Sequence, residues 1–146
     1  MKTLVQNRRA KFDYEILETY EAGIVLQGKE VKSLKSGQAK LDGSYAFISN
    51  GEITLLNMHI TPYQPKNTMG LAEPDRSRKL LLHKKEIKYL TGKLKEKKLT
   101  LVPTKVYIKQ GKIKLEIGLG RGKTKIDKRE TIKKREANRE MQRRYS

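Results

Sequence analysis

The chain has no cysteine among its 146 residues, which excludes disulfides and thiolate metal sites and leaves the redox compartment open. Histidine is almost as scarce. The two present, His59 and His83, lie far apart without an evident carboxylate partner, and no HExxH or DxD pattern occurs. The supply of metal ligands and acid–base groups is therefore thin, and neither a cofactor nor catalysis is expected. No apolar run approaches the ~20 residues that cross a bilayer. The opening MKTLVQNRRAK lacks the apolar stretch of a secretion signal, so a cytoplasmic protein is expected. Acidic residues are also in short supply, 16 against 34 Lys and Arg, which gives a net charge of +18 and a pI near 10.1. Such a charge favours a polyanion, with nucleic acid the first expectation and an anionic membrane surface the weaker one. With 36% hydrophobic residues the chain can core one domain but not all of its length.

What is present divides at Gly120. Residues 121–146 hold 11 Lys and Arg against four acids and few apolar residues, and read as a basic tail. Residues 1–120 read as a β-rich domain. Tyr14 to Leu26 is one long strand, with Gly23 as a bulge or bend. Lys29 to Ser36 is a short helix that Gly37 closes, with Val31 and Leu34 on one face. Tyr45 to Ile60 is a hairpin turning at Asn50-Gly51, the favoured type I′ pair. Its strands are apolar at adjacent positions, so burial on both faces is expected for part of their length. Positions 61–78, with three of the four prolines, form a long loop. His83 to Lys97 is a helix carrying Ile87, Leu90 and Leu94 at helical spacing. Thr100 to Leu119 is a second hairpin turning at Gln110-Gly111. Val106, Ile108, Ile113, Leu115 and Ile117 point to a core; Lys105, Tyr107, Lys109, Lys112, Lys114 and Glu116 make a basic outer face. About six antiparallel strands with two or three short helices hide their edges best by closing into a barrel.

Three segments invite a chemical reading. Gly118 to Thr124 resembles a Walker A loop, but Ile117 stands where that motif needs its first glycine, so nucleotide hydrolysis is rejected. Its glycines can let the main chain approach a phosphate, or simply form a hinge. The run Asn7-Arg8-Arg9-Ala10-Lys11-Phe12 sets cations beside an aromatic, a pattern that stacks unpaired bases and holds phosphates. It reads equally as a solvated arm with Phe12 tucked onto the core. In the tail, Asp127 and Glu130 are spaced as a capping box, while Arg135/Arg139 and Arg139/Arg143 repel. A helix that needs a polyanion to cancel its repulsion is expected there, disordered when free.

Four segments in order, YEAGIVLQGKEVKSLKSG from Tyr20, ITP from Ile60, RSRKLLLHKKEI from Arg76 and GRGKTKIDKRE from Gly120, together resemble the SsrA-binding protein family, also called small protein B. The resemblance covers nearly the whole chain. It implies an oligonucleotide-binding-like antiparallel β-barrel that binds the tRNA-like domain of transfer-messenger RNA and brings it to stalled bacterial ribosomes for trans-translation. The partners implied are that RNA and the ribosome, including its decoding centre and messenger channel, with no membrane. By the same resemblance, RNA contacts fall on Asn7, Arg8, Arg9, Glu21, Leu81, His83, Arg121, Gly122, Lys123 and Lys125; the residue reading adds Lys11 and Phe12. The ribosome-facing tail carries Ile126, Asp127, Lys128, Arg129, Ile132, Lys133, Lys134, Arg135 and Met141. Ile126 stands where relatives often have a His or aromatic able to stack on a base, and isoleucine cannot π-stack. A constitutive ribosomal or general structured-RNA-binding protein is the alternative that composition and tail alone leave open.

Overall fold

The computed structural model describes residues 1–62, 73–96 and 98–145. In chain order the elements are β1 (Lys2–Gln6), α1 (Arg8–Asp13), β2 (Tyr14–Ile24), α2 (Gly28–Lys35), β3 (Ala39–Lys40), β4 (Tyr45–Ser49), β5 (Glu52–Leu56), β6 (His59–Ile60), β7 (Arg78–Leu81), α3 (Lys84–Lys93), β8 (Leu99–Lys109), β9 (Lys112–Gly122) and α4 (Lys125–Tyr145). Both expected hairpins form. Asn50 (φ 53°) with Gly51 (φ 76°), and Gln110 (φ 51°) with Gly111 (φ 74°), hold the paired left-handed dihedrals that a two-residue turn requires. Gly37, at φ 73°, closes α2, and its N–H donates to the Leu34 carbonyl at 3.0 Å.

The large sheet is antiparallel and runs β1-β8-β4-β5-β7-β2-β9, and β9 returns to pair with β8. Six strands thus close a ring and β1 hangs on the outside of β8. A small second sheet joins β3 to β6. The ring interior is filled by Ala22, Ile53, Leu55, Leu80, Leu101, Val106, Leu115, Ile117 and Leu119, with Leu34 from α2 and Leu90 from α3 packed among them. Each helix is thereby anchored by one fully buried leucine, a burial that contributes roughly 1.5–3 kcal/mol.

Several expectations are corrected. The bulge in β2 lies between Ile16 and Glu18, not at Gly23. Gly23 instead permits close approach: a Cβ there would sit 3.3 Å from that of Leu81. The β4–β5 hairpin is buried on one face only. Ala46, Ile53 and Leu55 point in, while Phe47 is 54% exposed. The outer face of the second hairpin is not uniformly wet, because Tyr107 is only 5% exposed. The expected N-terminal arm is folded as β1 and α1. Strand β9 runs to Gly122, two residues past Gly120. Of the loop read over 61–78, positions 63–72 lie outside the described residues, as do Lys97, at the end of the expected α3, and Ser146.

In the tail, helix α4 spans Lys125–Tyr145. Its cap is one turn earlier than Asp127-Glu130. The Thr124 N–H donates to Asp127 Oδ2 and the Asp127 N–H donates to Thr124 Oγ1, both at 3.3 Å, a reciprocal Thr-x-x-Asp box. Thr124 stands two residues after the end of β9, where it meets the unpaired N–H groups at the start of α4.

Candidate nucleic-acid interface

Strands β2 and β7 bring together residues some sixty positions apart in sequence. Gly23 is paired with Leu81. Glu21, two residues back, shares the outer face of β2, since side chains alternate along a strand. Leu81 stands 53% exposed over Gly23. His83 follows as the exposed N-cap of α3, its N–H donating to Glu86 Oε1 at 3.3 Å. Glu21, Leu81 and His83 therefore lie along one seam.

Glu21 is held in place by a residue that the sequence reading put on the wet side. Tyr107, facing outward from β8, donates its hydroxyl proton to Glu21 Oε1 at 2.7 Å, and Lys109 Nζ lies 3.5 Å from the same oxygen. The Tyr107 bond, with Lys109 and Lys114 behind it, holds the Glu21 carboxyl below its ordinary pKa; partial burial opposes this. Burial first, and the bond to Glu21 second, push the Tyr107 phenol well above its own. Glu21 is thus ionised and oriented near neutrality. Both contacts fall on Oε1, which leaves Oε2 to accept from a base amino group or a 2′-hydroxyl. The signal for Tyr107 was an aromatic ring alone among lysines on a sheet face.

A second group forms where α1 meets α4. Phe12 is half-buried beneath three cations. Arg9 lies 5.1 Å from the ring centroid, Lys128 5.6 Å and Arg135 5.9 Å. Asp13 pairs with Arg9 at 3.0 Å and Lys128 at 3.1 Å. Burial pushes the Asp13 carboxyl up, but the contacts with Lys128 and Arg9 outweigh it and hold the group below its ordinary pKa. The Lys123 N–H donates to the Asp13 carbonyl at 2.9 Å, and Lys123 Nζ donates to Thr131 Oγ1 at 2.7 Å. Arg8 and Lys11 stay exposed on α1, as does Arg121 at the end of β9.

Other predicted residues are placed differently. Asn7 is 4% exposed and its amide is spent on the fold. Its Oδ1 accepts from the Ala10 N–H at 3.1 Å, and its Nδ2 donates to the Pro103 and Leu41 carbonyls at 2.8 and 3.3 Å. It caps α1 and ties it to β8 rather than presenting a polar group outward. Gly118 and Gly120 are packing residues, not a phosphate loop. A Cβ on Gly118 would stand 2.9 Å from Ile16 Cγ2, and one on Gly120 3.0 Å from Tyr14 Cβ. Only Gly122 of that run has open space beside it. Ile126 is 69% exposed. Asp127 is used as a cap, and Arg129, Ile132, Lys133, Lys134 and Met141 line the exposed surface of α4. Lys125 opens the helix.

Among the described residues no three His, Asp or Glu gather as a metal would require, and no helix is long and apolar enough to cross a membrane. The ring, the surplus of exposed cations and the aromatic beneath them define a mainly β, strongly basic domain of the kind that takes a polyanion. The chain belongs to the SmpB protein family, whose model matches residues 4–146. It is 56% identical over 141 residues to the SsrA-binding protein of Chlorobaculum tepidum, covering 96% of this chain and 89% of that one. It is 55% identical over 142 residues to that of Desulforudis audaxviator, covering 97% and 92%. A solved chain described under "tmRNA-SmpB: a journey to the center of the bacterial ribosome" superposes with a TM-score of 0.69 at 52% identity, covering 83% of this chain and 85% of that one.

Proposed function

We propose that this protein binds the tRNA-like domain of transfer-messenger RNA and carries it to stalled ribosomes for trans-translation. The observation that carries the reading is the seam on which Glu21, Leu81 and His83 converge, with the Glu21 carboxylate aimed by Tyr107. Family membership over residues 4–146 supports it. The ring of strands is read as an oligonucleotide-binding-like barrel, and the protein as a non-catalytic cytoplasmic RNA partner. Residues 1–120 form the RNA-binding body. Residues 121–146 are the ribosome-directed tail, which unfolds in the free protein and is helical when a polyanion neutralises it. Within the tail, Ile126 to Met141 supply the ribosomal contacts.

A carboxylate on an RNA surface repels phosphate, so its value lies in accepting hydrogen bonds from bases or 2′-hydroxyls. Glu21→Ala is therefore expected to weaken binding of the tRNA-like domain about tenfold, although it makes the surface more positive. Filter binding at near-physiological salt, with circular dichroism to show an intact fold, checks this. An unchanged or tighter complex refutes the role given to Glu21. Equal affinity of the unaltered protein for random single-stranded RNA and for the tRNA-like domain refutes structural readout altogether.

A further inference from the structure

Where α4 leans on α1 there is an open cleft of 560 Å³ lined by Gln6, Arg8, Arg9, Phe12, Asp42 and Arg135. Its charge is unbalanced. Arg9 is matched by Asp13 at 3.0 Å, but Arg8 and Arg135 have no carboxylate within ion-pair distance among the described residues. The two come from different elements, Arg8 from the first turn of α1 and Arg135 from the middle of α4. Phe12 lines the same cleft, its ring approached by Arg9, Lys128 and Arg135. Guanidinium groups fork onto phosphate oxygens, and an aromatic face accepts an unpaired base. Besides the Asp13 contacts and the Lys123–Thr131 hydrogen bond, α4 meets α1 through cations gathered on the Phe12 ring, an arrangement that an anion would stabilise.

We infer that this cleft is a binding site for one phosphodiester of single-stranded RNA, which bridges Arg8 and Arg135 and so locks the root of the tail helix to the body. The inference deepens the functional reading above and rests on it for the identity of the polyanion. The site exists only while α4 is docked, so RNA entering it and α4 docking on α1 stabilise one another. Arg135, which sequence reading placed among ribosome contacts, then serves a body-to-tail joint.

The test uses the full chain and a uridine hexanucleotide. Hydrogen exchange of the α4 amides from Lys128 to Arg135 is measured with and without RNA. Protection is expected to rise roughly tenfold at saturating RNA, as for any ligand that binds only the docked state. Arg135→Gln, an exposed helix position, should keep the fold and abolish the rise. The methylphosphonate form of the hexanucleotide, inorganic phosphate and a hexaglutamate peptide should each give none. No rise in the unaltered protein, a full rise in Arg135→Gln, or an equal rise from any of those three controls overturns the site. Affinity for the tRNA-like domain is measured alongside. If that RNA fails to bind while the hexanucleotide still protects α4, the cleft stands and the functional reading falls. If that RNA binds but α4 gains no protection from either RNA, the cleft alone falls.

Discussion

Protein cut after Lys125 is expected to bind the tRNA-like domain almost as tightly as the full chain and to support no tag transfer on stalled ribosomes. The first half follows from packing. Among the described side chains of α4, Lys128 and Thr131 are the half-buried ones, Ile126 and Met141 are 69% and 58% exposed, and none belongs to the core cluster. Removing it leaves the ring, α1 and the Glu21 seam intact. The loss should be one or two phosphate contacts, about 1 kcal/mol. The second half follows from shape and charge. A helix of 21 residues is ~31 Å long, and its cations on several faces suit a channel walled by phosphates better than a flat protein surface. Its like-charge neighbours Arg135 and Arg139 oppose the helix until anions surround it. RNA binding and tag transfer, each measured with full-length and cut protein, decide the matter. Tagging that survives the cut, or RNA binding that does not, shows that the work is divided differently.

How much of this was legible depends on which physical term dominated at each position. Asn50-Gly51 and Gln110-Gly111 were readable because a left-handed pair in a two-residue turn admits few residue types. The inward row Val106, Leu115, Ile117 was readable because one buried face imposes alternation. Gly23 and Gly118 were misread because a glycine looks the same in sequence whether it bends a strand or lets a neighbour approach. Only the position of Leu81 or Ile16 tells them apart. Asn7 was misread for the same reason. A polar residue beside two arginines looks like a ligand group until Pro103 and Leu41, far along the chain, are brought to its amide. The seam of Glu21, Leu81 and His83 came from family resemblance, since nothing local in YEAG or KLLLH announces that their strands pair. Arg78 was hidden most completely, as a charged residue in a basic motif that proves to have no exposed surface.

Arg78→Met should destabilise the fold by about 3–5 kcal/mol, a large part of the roughly 5–15 kcal/mol that holds a domain of this size. Arg78 points inward from β7 and every arm of its guanidinium is used. Nε donates to Glu30 Oε2 at 2.8 Å, Nη1 to the Met58 and Arg76 carbonyls at 2.7 and 3.1 Å, and Nη2 to the Pro74 carbonyl at 3.0 Å. Methionine fills much of the space but leaves three backbone carbonyls without these donors and Glu30 with one arginine, Arg76, in place of two. The effect should depend on pH with a definite sign. Burial pushes the Glu30 carboxyl up, yet hydrogen bonds from Arg76, the Gln27 N–H and Arg78 outweigh it, and the folded pKa lies below the ordinary value. Glu30 in the unaltered protein therefore contributes stability that is fully present above its unfolded pKa and is lost as pH falls through the folded one. Without Arg78 the depression shrinks while burial remains, so the variant gains relief by taking up a proton that the unaltered protein resists. Urea unfolding of both proteins from pH 7 down to pH 3 should show the gap widest at neutrality and narrowing in acid. A gap that stays constant with pH would mean that the lost carbonyl contacts and packing, rather than the ion pair with Glu30, carry the whole cost.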